Sequence, residues 1–168
     1  MVIDSIRLLL FPALMAFAAS SDLLTMTISN RISLLLIGGF LVLAVATGMS
    51  LEGIGYHALA GAIVLVLAFI CYARGWIGGG DAKLAAATAL WFGFEHLYDY
   101  LLAASLLGGV LTLLILRFRA LPLPAVLARQ AWVARLHRDD AGVPYGIALA
   151  AAALAIYPYT IWMKQLGS

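Results

Sequence analysis

Apolar residues fall in long uninterrupted runs along this chain, not in the alternating or single-stripe patterns of soluble domains. Stretches free of Asp, Glu, Lys and Arg cover 8–21, 32–51, 53–73, 75–80, 84–94, 100–116 and 141–163. A helix needs about 20 mostly apolar residues to cross the hydrocarbon core of a bilayer. The runs 32–51, 53–73, 100–116 and 141–163 reach or approach that length, and 8–21 reaches it once Asp4 to Arg7 sit among headgroups. The pair 75–80 and 84–94, interrupted by Asp81 and Lys83, reads as a glycine-rich entry into a fourth helix carrying charge near membrane depth. The pattern predicts an all-α polytopic membrane protein with six transmembrane helices, one domain over residues 1–168. No internal repeat and no low-complexity linker interrupts it.

The first run has a competing reading. Arg7, the run Leu8–Ala18 and the triplet Ala16-Phe17-Ala18 are laid out like a secretory signal with its cleavage site. Asp4 beside the only nearby basic residue and Pro12 inside the apolar stretch weigh against it.

Composition sharpens the membrane reading. Of the 168 residues 65% are hydrophobic and 11% charged, and the mean hydropathy is +1.06. Soluble domains carry about 25% charged residues, so this chain has too few to cover a globule. An ordinary soluble enzyme, a disordered tail and a nucleic-acid binder are excluded. The formal net charge of +2 says nothing about partners, but the placement of the charges does. With the N-terminus outside, Arg31, Arg74, Lys83, Arg117, Arg119, Arg129, Arg135 and Arg138 are cytoplasmic, leaving Arg7 and Lys164 outside. Eight against two is a positive-inside asymmetry. Trp91, Tyr98, Tyr157, Tyr159 and Trp162 are then expected in an interfacial belt at the outer ends. The only long loop, 118–143, joins helices 5 and 6. It is either a basic amphipathic helix on the anionic leaflet or a solvated basic loop that fixes topology.

Charge near membrane depth costs roughly 2.5–3.5 kcal/mol for a central position on insertion scales, so Asp81 calls for an explanation. Gly78, Gly79 and Gly80 precede it, a triplet that lets the backbone bend, take positive φ and admit another chain closely. A flexible turn whose Asp simply caps a helix accounts for the same residues. Asp22 ends the first apolar run and leads into the polar stretch Thr25, Thr27, Ser29, Asn30 and Arg31. In the six-helix topology the end of helix 1 and the start of helix 4 lie on one side, so the two carboxylates can face each other. Paired carboxylates share a proton. The ionised one activates water while the protonated one polarises a carbonyl, the chemistry of an aspartyl protease.

These residues also carry a resemblance. Gly78-Gly79-Gly80-Asp81 fits a GxGD signature and, with Gly75-Trp76-Ile77 before it and Ala82-Lys83-Leu84 after it, resembles the type IV prepilin peptidases. The stretch after Asp22 is similar to that family's first-aspartate motif. Ile28 and Asn30 keep their places there, Ser29 stands where proline is expected, and Thr25, Met26 and Thr27 replace positions that are often basic. Val143-Pro144-Tyr145-Gly146, entering the last helix, is a third match. The resemblance implies an intramembrane aspartyl endopeptidase. It would cut the leader from prepilin or pseudopilin substrate helices at the cytoplasmic face, with Asp22 and Asp81 catalytic and neither metal nor cofactor. Larger members have an extra cytoplasmic region with paired cysteines and also N-methylate the new N-terminus. With Cys71 its only cysteine, this chain resembles the small peptidase-only form of tight-adherence (Flp-type) pilus systems.

The remaining polar residues carry weaker expectations. Lys83, two positions past Asp81, points about 200° away on a helix and suits a lipid-headgroup or substrate contact. Asn30 caps helix 2 or hydrogen-bonds near the site. His57 and His96 fall outside and His137 in the basic loop, which argues against a metal cluster. Cys71 reads as a small apolar residue, Asp139 and Asp140 as solvated. Gly38-Gly39, Gly61 and Gly108-Gly109 read as helix-packing positions. Two other classes remain. A small ion- or proton-coupled transporter would use the aspartates as a relay, and a non-catalytic subunit of a pilus or secretion assembly would tolerate losing either. Membrane lipids are partners in every reading; the oligomeric state is not legible.

Overall fold

The computed structural model describes residues 2–164 and 166, and no strand occurs among them. The helices are α1 (Val2–Thr25), α2 (Asn30–Ala46), α3 (Leu51–Ala73), α4 (Gly79–Arg119), α5 (Ala125–Ala128), α6 (Ala131–His137) and α7 (Tyr145–Ile156). A 3-10 turn (Tyr157–Tyr159) and α8 (Ile161–Lys164) follow. Helices α1, α3, α4 and the stretch Tyr145–Lys164 are long and apolar enough to cross a membrane, while Asn30–Ala46 is apolar but shorter.

Local chemistry sets the boundaries. Ser29 and Ser50 are the N-caps of α2 and α3, and the Ser50 hydroxyl accepts from the Gly53 amide at 3.1 Å. The apolar run 32–51 therefore does not stay helical to its end. It breaks after Ala46 in a turn where Gly48 takes a φ of +70°. The run 141–163 is likewise split, because Pro144 opens α7 and Pro158 sits in the 3-10 turn.

Between the fourth and fifth predicted helices there is no loop at all. Helix α4 runs through to Arg119 but departs from helical geometry at Gly93, with φ +59° and ψ −168°. Only glycine adopts that conformation without strain. Asp81 and Thr112 line one cavity, although on a straight helix they would stand about 46 Å apart. The chain thus doubles back at Gly93 into legs 79–92 and 94–119. Near the break two carbonyls are taken by side chains: His57 Nδ1 donates to Leu90 O at 2.8 Å and Trp162 Nε1 to Trp91 O at 2.8 Å.

The aromatic belt expected at the outer ends is only partly there. Tyr98 and Tyr159 are exposed, but Trp91, Tyr157 and Trp162 are buried and form the core with Phe11 and Phe40. Phe11 stacks on Tyr157 at 4.5 Å and lies 5.0 Å from Trp91, which is 5.2 Å from Trp162. Each polar handle is satisfied by backbone: Trp91 Nε1 donates to Leu36 O (2.9 Å) and the Tyr157 hydroxyl to Arg7 O (2.6 Å). Buried Trp and Tyr need such partners. The core therefore joins α1, α2, the first leg of α4 and the C-terminal stretch at one end of the molecule.

The long loop is neither one amphipathic helix nor wholly solvated. Pro122 and Pro124 open it, and two short helices, α5 and α6, follow. Arg119 donates from Nε to Leu136 O and from Nη2 to the carbonyls of Ala141 and Gly142, all within 2.9 Å. Asp139 and Asp140 are exposed, and Arg138 beside Asp140 holds that carboxyl below the usual range.

The glycines make a paired test. A Cβ at Gly93 would lie 2.9 Å from the His57 ring and force a strained φ, whereas a Cβ at Gly38 meets nothing within 4 Å. Gly93→Ala should lower the melting temperature of the detergent-solubilised protein by about 5 °C or more, and Gly38→Ala should leave it unchanged. Differential scanning fluorimetry reads both.

Candidate active site

Asp22 occupies the last turn of α1 and is buried, 5% exposed. It continues a buried stripe at helical spacing: Arg7, Phe11, Met15, Ala18, Asp22. The same face that packs the aromatic core at one end of α1 thus turns a carboxylate inward at the other. Helix α1 closes with the Met26 amide donating to Asp22 O at 2.8 Å, and Met26 takes a left-handed φ of +56°. That conformation costs a non-glycine residue roughly 1–2 kcal/mol. Hydroxyls hold the turn. Thr25 Oγ1 donates to Ser21 O (2.7 Å), and Ser21 Oγ donates to Thr27 O (2.9 Å).

Asp81 stands in the first turn of α4, whose N-cap is Gly78. Its carboxylate folds back onto the Gly78 backbone, where a Cβ would lie 2.9 Å from Asp81 Oδ2. The other oxygen, Oδ1, is buried and has no hydrogen-bond partner among the described residues. The glycine triplet does not supply positive φ, which belongs to Gly75 in the preceding loop. It supplies closeness instead: a Cβ on Gly80 would lie 3.0 Å from Ile28 Cβ and 3.4 Å from the Ile28 backbone. The loop after Asp22 therefore lies directly against the start of α4.

Both aspartates line one cavity of about 550 Å³, together with Met26, Trp76, Thr112 and Tyr145. They are near enough for the charge of one to act on the other. The third contributor is the N-terminus of α7. Its Gly146 amide donates to Asp22 Oδ2 at 2.7 Å, one of the first-turn N–H groups that no helix satisfies internally. Glycine is required there by space. A Cβ would lie 2.7 Å from Ile28 Cδ1 and 2.8 Å from Asp22 Oδ2. The Gly146 contact is the part of the site that reasoning from the two aspartates alone does not reach; the Val-Pro-Tyr-Gly run marks its location.

Lys83 and Asn30 lie off this cavity. Lys83 Nζ donates to Asn30 Oδ1 at 2.8 Å, on the other face of α4, and the cap of α2 is Ser29 and not Asn30. Ser29 has φ −65°, the value a proline would impose. Gly39, Gly61 and Gly108 do pack closely, against Leu10, Leu90 and Tyr145, whereas Gly38 and Gly109 face open space. No group of three metal-ligating side chains occurs among the described residues.

Two inward carboxylates from different helices, one with an unpartnered oxygen, meet on a partly polar cavity, the kind of group set that general acid–base chemistry on water uses. Comparison with known proteins points to a peptidase family. A prepilin leader peptidase/N-methyltransferase of Dickeya chrysanthemi is 36% identical over 131 residues, covering 74% of this chain and 44% of that protein. The chain therefore spans less than half the length of that relative. No solved structure matches it significantly. The model of the type IV leader peptidase family matches residues 9–113, a stretch that holds both aspartates, the glycine triplet and the fold-back at Gly93. On that match the chain belongs to the type IV leader peptidase family.

Proposed function

We propose that this protein is an intramembrane aspartyl endopeptidase that removes the leader of a type IV prepilin or pseudopilin. The observation that carries the reading is the meeting of Asp22 and Asp81 on one cavity from two different helices. The ionised carboxylate takes a proton from water as the water oxygen attacks the scissile carbonyl. The protonated carboxyl gives its proton to the carbonyl oxygen, forming a neutral gem-diol. Collapse returns one hydroxyl proton to a carboxylate while the other carboxyl protonates the leaving amine. Water is consumed, a leader acid and a mature amine are released, and the pair ends with the one shared proton it began with.

The topology that serves this reading has six spans: α1, α2, α3, the two legs of α4 and the stretch from α7 to α8. Both termini face outward, and the aspartates and the 118–143 loop face the cytoplasm. Its support is the eight-to-two division of cationic residues between the two ends. The hydrogen bond from Arg135 Nη1 to Leu24 O at 2.7 Å adds to it by tying the loop to the aspartate end of α1. The location is the bacterial inner membrane, and the substrate meets the site as a membrane-embedded helix with its leader on the cytoplasmic side.

Asp22→Asn and Asp81→Asn should each reduce leader removal from a co-expressed prepilin by on the order of 10²–10⁴-fold, with membrane-inserted protein at wild-type levels. Gel mobility of the prepilin measures the first and immunoblotting the second; near wild-type processing by either variant contradicts the pair. Asp139→Asn and Asp140→Asn should process normally. A cysteine placed at Gln130 in a Cys71→Ser background should be labelled by impermeant maleimide only after the inner membrane is opened. Labelling of intact spheroplasts reverses the orientation.

Methyl transfer is not expected from this chain. The turns after Asp22 and before Asp81 are too short to hold a domain, and the 118–143 loop contains no cysteine and no glycine-rich nucleotide cradle. Mature substrate made by the purified protein with S-adenosylmethionine present should carry a free N-terminal amine. A mass increment of roughly 14 Da, one CH₂, overturns this.

A further inference from the structure

Helices α2 and α3 leave a gap between them on the side of α4 away from the aspartates. Both pack on α4 and barely on each other, so a groove of about 470 Å³ opens between them with α4 as its floor. The small residues Ala86 and Ala87 form the floor; Leu34 and Ile37 of α2 and Gly61 and Leu65 of α3 form the walls. At the aspartate end the lining changes character. Lys83 stands there with its ammonium on Asn30 Oδ1 and no carboxylate within ion-pairing distance among the described residues. Ser33, 7% exposed, also lines the groove, and its hydroxyl has no hydrogen-bond partner among the described residues.

A uniformly apolar groove would need nothing more than bulk lipid tails. This one offers a fixed cation, a waiting hydroxyl donor and an apolar trough, in that order from the membrane surface inward. An anionic phosphate, an ester carbonyl and an acyl chain occur in the same order in a phospholipid.

We propose that the α2–α3 groove is a specific site for an anionic diacyl phospholipid, its phosphate on Lys83, an ester carbonyl on Ser33 and an acyl chain over Gly61, Ala86 and Ala87. The site is separate from the aspartate cavity, because Lys83 and Asp81 lie on different faces of α4, and it does not depend on the peptidase reading.

The test is native mass spectrometry of the detergent-solubilised full chain titrated with phosphatidylglycerol or phosphatidylcholine. Wild type should bind one phosphatidylglycerol more tightly than phosphatidylcholine, and Lys83→Gln should weaken the anionic lipid by about five- to tenfold and erase the preference. Ala62→Phe, placing bulk in the groove at an exposed position, should remove the specific adduct of either lipid. Equal binding of the two lipids by wild type overturns the proposal, as does unchanged binding in both variants. Displacement of the lipid by millimolar inorganic phosphate also counts against it, since the chain contacts would then contribute nothing. A photoreactive side chain at position 62 gives a second readout in native membranes. A lipid adduct supports the site, and a protein adduct assigns the groove to a peptide helix and refutes it.

Discussion

The amide of Gly146 donating to the carboxylate of Asp22 joins the end of α1 to the start of α7, and the geometry of the aspartate end rests on it. A buried carboxylate needs donors, and a hydrogen bond to a charged group contributes about 1.5–3 kcal/mol. The donor is a first-turn helix amide, fixed by the backbone and free of rotamer choice. This contact requires glycine at 146, because any Cβ there meets both Asp22 and Ile28. Ile28 in turn presses on Gly80, one residue before Asp81. One chain of contacts, from Gly146 through Asp22 and Ile28 to Gly80, therefore sets where both carboxylates stand.

The two ends of the molecule are built differently for different tasks. One end is an aromatic core of Phe11, Phe40, Trp91, Tyr157 and Trp162 whose polar atoms are tied to backbone carbonyls. It fixes the helices against one another. At the other end, turns rich in glycine and hydroxyl side chains surround a cavity, and arginines hold the loop by its carbonyls. Arg119 and Arg135 thus act as structural anchors. The first leg of α4 connects the ends and presents two faces. Asp81, Leu84, Thr88 and Trp91 follow the cavity and core face; Lys83, Ala86, Ala87 and Leu90 follow the groove.

Much of this was legible in the residues. The apolar runs located the long helices, and the two aspartates stood out because charge is scarce in such a chain. The buried stripe from Arg7 to Asp22 is also written there, at spacings of three and four, though the uniform hydrophobicity of α1 masks it. The burial of Trp91, Tyr157 and Trp162 was not legible: an aromatic near a helix end suits an interface or a core equally well, and only tertiary packing decides. A helix boundary near 94 was legible from Glu95 and Asp99, but the pivot at Gly93 was hidden because one glycine at an unusual φ looks like any other glycine. The turn at 47–50 was hidden because Ser50 and Gly48 carry no charge and so left the apolar run intact. The role of Gly146 depended on a partner 124 residues away, which no local pattern discloses.

The Gly146 amide fixes the Asp22 carboxylate on the cavity it shares with Asp81. Gly146→Ala tests it most directly, since the added carbon displaces the Asp22 carboxylate while leaving both aspartates in the chain. The measurement is the rate of leader removal from a prepilin by purified protein, taken beside its melting temperature. A loss of about 100-fold or more in rate, with the protein still folded and membrane-inserted, is the predicted result. A rate near that of wild type would mean that the Gly146 contact does not position Asp22.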